Sequence, residues 1–288
     1  MRELEMNRLG AHMSVAGGVS KAFERAQSID CRTMQIFTRN QNQWKSKPLE
    51  TAEIARYHEW AQRTGIAPVV AHASYLINLG SPSNELWDKS VEAYQVELER
   101  ADQLSILGVV LHPGSSMGAG EEAGKRRIAQ GLDRVHAATP AAQTLTLLEI
   151  TAGQGDHLGF RFEQLADIIA ALDAPGRVGI CFDTCHALAA GYEFRNADDY
   201  QRMWDNFDKA LGLERLKVFH LNDSKKDLGS RVDRHTHIGE GFLGLTPFRL
   251  LLNDARFQAL PMILETPKEE DMADDVMNLA RLRELIER

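Results

Sequence analysis

The stretch RVDRHTHIGEG, residues 231–241, places Asp233, His235 and His237 at every second position. In an extended chain alternate side chains share a face, so a carboxylate and two imidazoles would crowd one side. Such a set can ligate a metal, work as acid and base, or belong to a polar loop. A second cluster bears on the choice: CFDTCH puts His186 one helical turn past Asp183. Together His186, Asp233 and His235 would make an open three-ligand site for a divalent ion.

These residues need elements to position them. Short apolar or β-branched runs (RLGAH, TMQIFT, PVVAH, GVVLH, TLTLLE, VGICFD, LKVFH and PMILE) alternate with segments of helical spacing such as FEQLADIIAAL and DDYQRMWDNFDKAL. Eight strand–helix alternations predict a (β/α)8 TIM barrel, one domain over residues 1–288. The strands would end at His12, Thr38, His72, His112, Glu149, Asp183, His220 and Glu265, of which seven are metal-binding types. A parallel barrel brings all strand C-termini to one rim, so these residues would converge there. His72, His112, Glu149, Asp183, His220 and Glu265 exceed the three or four ligands of a single catalytic zinc. A carboxylate can bridge two ions, and a pair about 3.5–4 Å apart is suited to phosphoryl transfer.

The bulk numbers fit a soluble globular protein, with 43% hydrophobic and 26% charged residues in 288. No run reaches the roughly 18 apolar residues of a membrane span, and MRELEMNRLG is too polar for a secretory signal. Three cysteines are too few for a disulfide framework, which predicts a cytoplasmic location. The formal charge of −8 does not exclude a nucleic-acid substrate. Carboxylates that hold cations are counted at full negative value, whereas each ion would return about two charges.

The motifs HASYLINLG, LHPGS, TAGQG, DTCHALAAGY, HLNDSK, GSRVDRH, GEG and ILET resemble those of the endonuclease IV family of apurinic/apyrimidinic endonucleases, in order and across nearly the whole chain. The resemblance implies a metal-dependent hydrolase of the deoxyribonuclease IV type. Three divalent ions, usually Zn2+ with Mn2+ as an alternative, would cut duplex DNA 5′ to an abasic site and leave a 3′-hydroxyl and a 5′-deoxyribose phosphate. By motif, His72, His112 and Glu149 take the first ion. Glu149 bridges to a second held by Asp183, His220 and Glu265, and a third falls to His186, Asp233 and His235. Tyr75 and Leu76 match side chains that enter the DNA. Two positions depart from relatives. Ile150 stands where bacterial relatives commonly have Asn, and Asn42 stands where some have a DNA-inserting Arg.

Glu149 and Glu265 are the residues best placed to orient or deprotonate an attacking water. His12 is expected as a supporting partner or substrate contact, and His237, on the ligand face, behind the metal site. Arg39, Arg231, Arg234 and Lys225 lie in rim loops, where they would meet phosphates. His58, His136 and His157 are expected on solvated helices or loops. Cys181 is expected inside the barrel, and Cys185 packed beside His186. A monomer is expected. Two rivals remain: a sugar isomerase with one or two metals, which would need neither Asp233–His235 nor Tyr75–Leu76, and a non-catalytic binder of damaged DNA.

Overall fold

The computed structural model describes residues 8–269 and 271–287. The barrel strands are Arg8–Met13 (β1), Thr33–Ile36 (β2), Val69–His72 (β3), Gly108–Leu111 (β4), Leu145–Glu149 (β5), Val178–Asp183 (β6), Leu216–Leu221 (β7) and Pro261–Leu264 (β8). They pair in parallel in chain order, and β8 returns to β1 with Arg8 opposite Pro261 and Ala11 opposite Leu264, which closes the barrel. The observed architecture is thus the expected (β/α)8 barrel.

The helices are Lys21–Ser28 (α1), Thr51–Thr64 (α2), Asn84–Gln103 (α3), Glu121–Ala138 (α4), Phe162–Ala170 (α5), Thr184–Ala190 (α6), Ala197–Leu211 (α7), Thr246–Leu252 (α8) and Ala273–Glu284 (α9). Helix α7 illustrates how they form. The Asn196 side chain accepts a hydrogen bond from the Asp199 backbone at the N-cap. Tyr200, Met203, Trp204, Phe207 and Leu211 recur at helical spacing and are all buried. Trp204 meets Phe182 of β6 with ring centroids 4.8 Å apart. Among the described residues no helix is long and apolar enough to cross a membrane.

Strand alternation builds two cores. Outward residues such as Met34, Ile36, Leu148, Ile180, Phe219 and Met262 join the large cluster shared with the helices. Inward, Val70, Val110, Leu147, Cys181, Val218 and Ile263 form a separate buried layer. Each stands two residues before one of the six expected strand-end ligands. The period of two therefore puts His72, His112, Glu149, Asp183, His220 and Glu265 one layer higher, on a dry apolar floor. Gly10 is required where β1 meets β2, because a Cβ there would lie 1.9 Å from the Thr33 carbonyl oxygen.

Two expectations are corrected here. Strand β2 ends at Ile36, so its residue in the ligand layer is Gln35 rather than Thr38, which is buried with its carbonyl accepting from Arg100. His136 does lie in a helix, α4, but it is buried rather than solvated, because it faces the barrel wall and hydrogen-bonds Thr146 Oγ1 at 3.0 Å.

Candidate metal centre

Glu149 lies at the centre of the layer, fully buried, and its two carboxylate oxygens face different partners. Oε2 is 3.3 Å from His72 Nε2 and 3.0 Å from His112 Nε2. Oε1 is 2.9 Å from His220 Nδ1 and 3.4 Å from His186 Nδ1. One compact set joins His72, His112 and Glu149, and another joins Glu149, Asp183, His220 and Glu265, each with its ligand atoms within 4.8 Å of one another. Asp233 supplies the rim. Its oxygens lie 3.2 Å from His186 Nε2 and 3.3 Å from His235 Nε2. Asp183, His186 and His235 also form a compact set, so Asp183 lies between the second and third groups.

The ring orientations are fixed from behind. His72 Nδ1 donates to the Ala73 carbonyl at 2.7 Å, His186 Nδ1 to that of Ile150 at 3.0 Å, and His235 Nδ1 to that of Glu265 at 3.1 Å. Each ring then turns its Nε2 toward the carboxylates, the side from which an imidazole held in this way binds a metal. Among the described residues, the buried Nε2 atoms of His186 and His235 have no aligned hydrogen-bond partner despite their approach to Asp233. Buried polar atoms are normally satisfied, so nitrogens aimed at a carboxylate without a bond fit a cation between them.

The electrostatics agree. Burial would raise Glu149, but His220 and His112 outweigh it and hold the carboxyl well below its ordinary value. Glu265 is likewise held well below, against burial, chiefly by His220. Burial would depress His186, but Asp183, Asp233 and Glu149 lift it well above its usual value. The layer is a pocket that favours added positive charge.

Carboxamides absent from the sequence reading complete the site. The Asn222 amide donates to Asp183 Oδ2 at 2.7 Å while its oxygen accepts from the Glu265 backbone at 2.9 Å. Gln35 touches Glu265, His220 and His12. A polar residue inside the apolar run TMQIF is the one sequence signal for it. Asp223 anchors the following loop, accepting from the backbone of Ser224, Gly239, Gly241, Leu243 and Gly244. Gly241 has no room for a side chain there, since a Cβ would meet Asp223 Oδ1 at 2.4 Å.

The other candidates fall in varied places. His12 Nδ1 is 3.6 Å from Glu265 Oε1, behind the ligands. His237 departs from expectation: the extended segment is only His235–Thr236, and the His237 ring turns to Asn278 of α9 at 3.1 Å. Arg39 also departs. It is buried, and its Nε donates to Glu97 Oε1 at 2.7 Å, so no phosphate can reach that side. The same Glu97 oxygen accepts from the Ser74 backbone, which ties the Asn42 loop to the Tyr75 loop. Tyr75 is 62% exposed, so it does not pack beneath Ile77 and Leu79, which are buried. Its ring stands 5.3 Å from that of His72 and 6.0 Å from that of His112. Leu76 is half-buried, and Asn42, Arg231, Arg234 and Lys225 are exposed. Arg231 lies 3.9 Å over the Phe160 ring. His157 is exposed, and His58 is half-buried, its Nε2 3.1 Å from the Gln103 carbonyl oxygen. Ile150 points into the outer core and serves the site through its carbonyl. Burial pushes the thiols of Cys181 and Cys185 up to about 12.

Residues 23–285 match the protein family described as Xylose isomerase-like TIM barrel. A protein of Chloroflexus aggregans named Probable endonuclease 4 is 54% identical over 281 residues, covering 98% of each chain. The chain belongs to the endonuclease IV family. A second member by name, from Geobacter sulfurreducens, is 51% identical over 97% of this chain and 95% of its own. The crystal structure of endonuclease IV from Thermus thermophilus is similar with a TM-score of 0.86 and 40% identity, over 96% of this chain and 98% of that one.

Proposed function

We propose that the chain is a DNA-repair endonuclease that hydrolyses the phosphodiester 5′ to an abasic site in duplex DNA, leaving a 3′-hydroxyl and a 5′-deoxyribose phosphate. The observation that carries this reading is the placement of Glu149, with one oxygen on His72 and His112 and the other on His220. His72, His112 and Glu149 would hold one divalent ion. Glu149, Asp183, His220 and Glu265 would hold a second, and His186, Asp233 and His235 a third. Imidazoles and carboxylates in these numbers suit zinc, with manganese the alternative. Bound together, such ions lower the pKa of water, bind phosphate oxygens and stabilise a departing 3′ oxygen.

The chain's own residues do the rest. Glu149 keeps the two inner sets in contact. Glu265, whose side chain is 13% exposed, reaches the rim ionised and orients the attacking water. A cavity of about 210 Å3 beside His72 and His112, walled by Tyr75, Ser115 and His157, leaves room for the target phosphate. Tyr75 and Leu76 enter the duplex where the lesion has removed stacking and so lowered the cost of opening. The exposed Arg231 and Arg234 steady the flanking phosphates.

A sugar isomerase on the same barrel would have no use for a third ligand set beside an exposed tyrosine. Elemental analysis of protein purified without chelator separates the two readings. About three ions per chain is expected, and a consistent value near one would favour the isomerase.

A further inference from the structure

We propose that Gln35 is a positioning residue that makes His220 present Nδ1, and Glu265 a single oxygen, to the inner ion. The inference rests on the metal reading above. Gln35 is fully buried in a strand whose neighbours Met34 and Ile36 belong to the outer core. A carboxamide there is costly unless its hydrogen bonds are made. Gln35 Nε2 lies 2.5 Å from Glu265 Oε1 and 3.0 Å from His12 Nδ1. Gln35 Oε1 lies 2.8 Å from His220 Nε2.

The chemistry of these groups allows one arrangement. An ionised carboxylate only accepts, so the amide NH2 must face Glu265. The carbonyl then faces His220, and His220 Nε2 must carry the proton. His220 Nδ1 is left with a lone pair, 2.9 Å from Glu149 Oε1 and 3.0 Å from Glu265 Oε2. A lone pair facing two anionic oxygens is tolerable only with a cation or a proton between them. The second amide hydrogen goes to His12 Nδ1, which makes His12 the Nε2–H tautomer.

His220 is thus the exception among the ligand imidazoles fixed from behind. His72, His186 and His235 give Nδ1–H to backbone carbonyls and turn Nε2 inward. His220 is reversed, and a side chain, not the backbone, imposes the reversal. The same amide occupies Glu265 Oε1, so only Oε2 is free to ligate or to take a proton. No backbone group could grip both partners at once, and this explains why β2 spends an interior position on glutamine.

The test uses zinc-loaded protein with 15N-labelled histidine, read by long-range 1H–15N NMR, with the His220 signal assigned by its loss in His220→Asn. In the unaltered protein His220 should be protonated at Nε2. Gln35→Met keeps the volume but removes all three bonds. It should release one zinc to a competing chelator about 10–100-fold more readily than the unaltered protein does, the usual consequence of losing a group that orients a ligand. The His220 signal should move away from the pure Nε2–H form. Gln35→Glu, protonated on the oxygen that faces Glu265, keeps an acceptor for His220 Nε2–H and should restore the unaltered signal. A His220 protonated at Nδ1 in the unaltered protein would overturn the inference without any variant. So would a folded Gln35→Met with unchanged zinc release and His220 signal. If Gln35→Met does not fold, loss of the Nε2–H form in Gln35→Glu overturns it. A chain that binds no zinc sinks the metal reading itself, whereas zinc binding indifferent to Gln35 sinks this inference alone.

Discussion

Glu149 illustrates how much rests on one side chain. One of its oxygens faces His72 and His112 and the other His220 and His186, so Glu149→Gln keeps the shape while removing the charge that would join two ions. Incision of an abasic duplex should fall by at least about 100-fold, with thermal unfolding within a few degrees of the unaltered chain. Near-normal cutting by a folded variant with its full metal content would place the bridge elsewhere. The nine ligand candidates are legible in the sequence because histidines and carboxylates at the ends of apolar runs have few structural uses. Gln35 and Asn222 are not, since carboxamides occur throughout the chain and their value here lies in what the fold brings beside them. His237 misleads because the extended segment is His235–Thr236 alone, and beyond it the His237 ring turns to Asn278.

Among the elements, the loops after β2 and β3 are tied to each other through α3. Arg39 and the Ser74 backbone share Glu97 of α3, and Ser74 Oγ donates to the Gln41 carbonyl at 2.5 Å. A buried ion pair of this kind is weak evidence for stability but effective at fixing geometry, since removing either partner leaves a charge unpaired. The pair holds the segment bearing Tyr75 and Leu76 against the wall of the site. Replacing both with Ala should lower incision of abasic duplex about 10–100-fold while metal content stays the same. Flexible or single-stranded abasic DNA should lose less, because it needs less opening. Equal losses on both substrates would mean that these side chains serve the fold. The strands themselves are legible from their apolar alternation, to within a residue or two at their ends. Arg39 reads as a surface cation because nothing near it in sequence reveals Glu97 behind it.

On the scale of the whole molecule, acid stability depends on a group far from the rim. Burial, helped by the charge of Arg177, lowers His136 from 6.5 to about 4. The unfolded chain therefore takes up this proton first as pH falls. The stabilisation is complete above about 6.5 and drains away as pH drops toward 4, a difference of roughly 3 kcal/mol. Denaturant unfolding at pH 7 and pH 4.5 should show a shallower loss in His136→Gln than in the unaltered chain. Equal slopes would mean that His136 is not neutral in the fold.

On the proposed function, the barrel rim cuts abasic DNA only with its metals in place. The most direct measurement is incubation with an end-labelled duplex carrying one abasic analogue, before and after exhaustive dialysis against a strong chelator. The expected result is a single cut on the 5′ side of the lesion, a 3′ end that a polymerase extends, and an intact control duplex. Cutting should be lost after dialysis and recovered with zinc. A metal-loaded protein that leaves the abasic strand whole, cuts on its 3′ side, or cuts equally well after dialysis would contradict the proposed function.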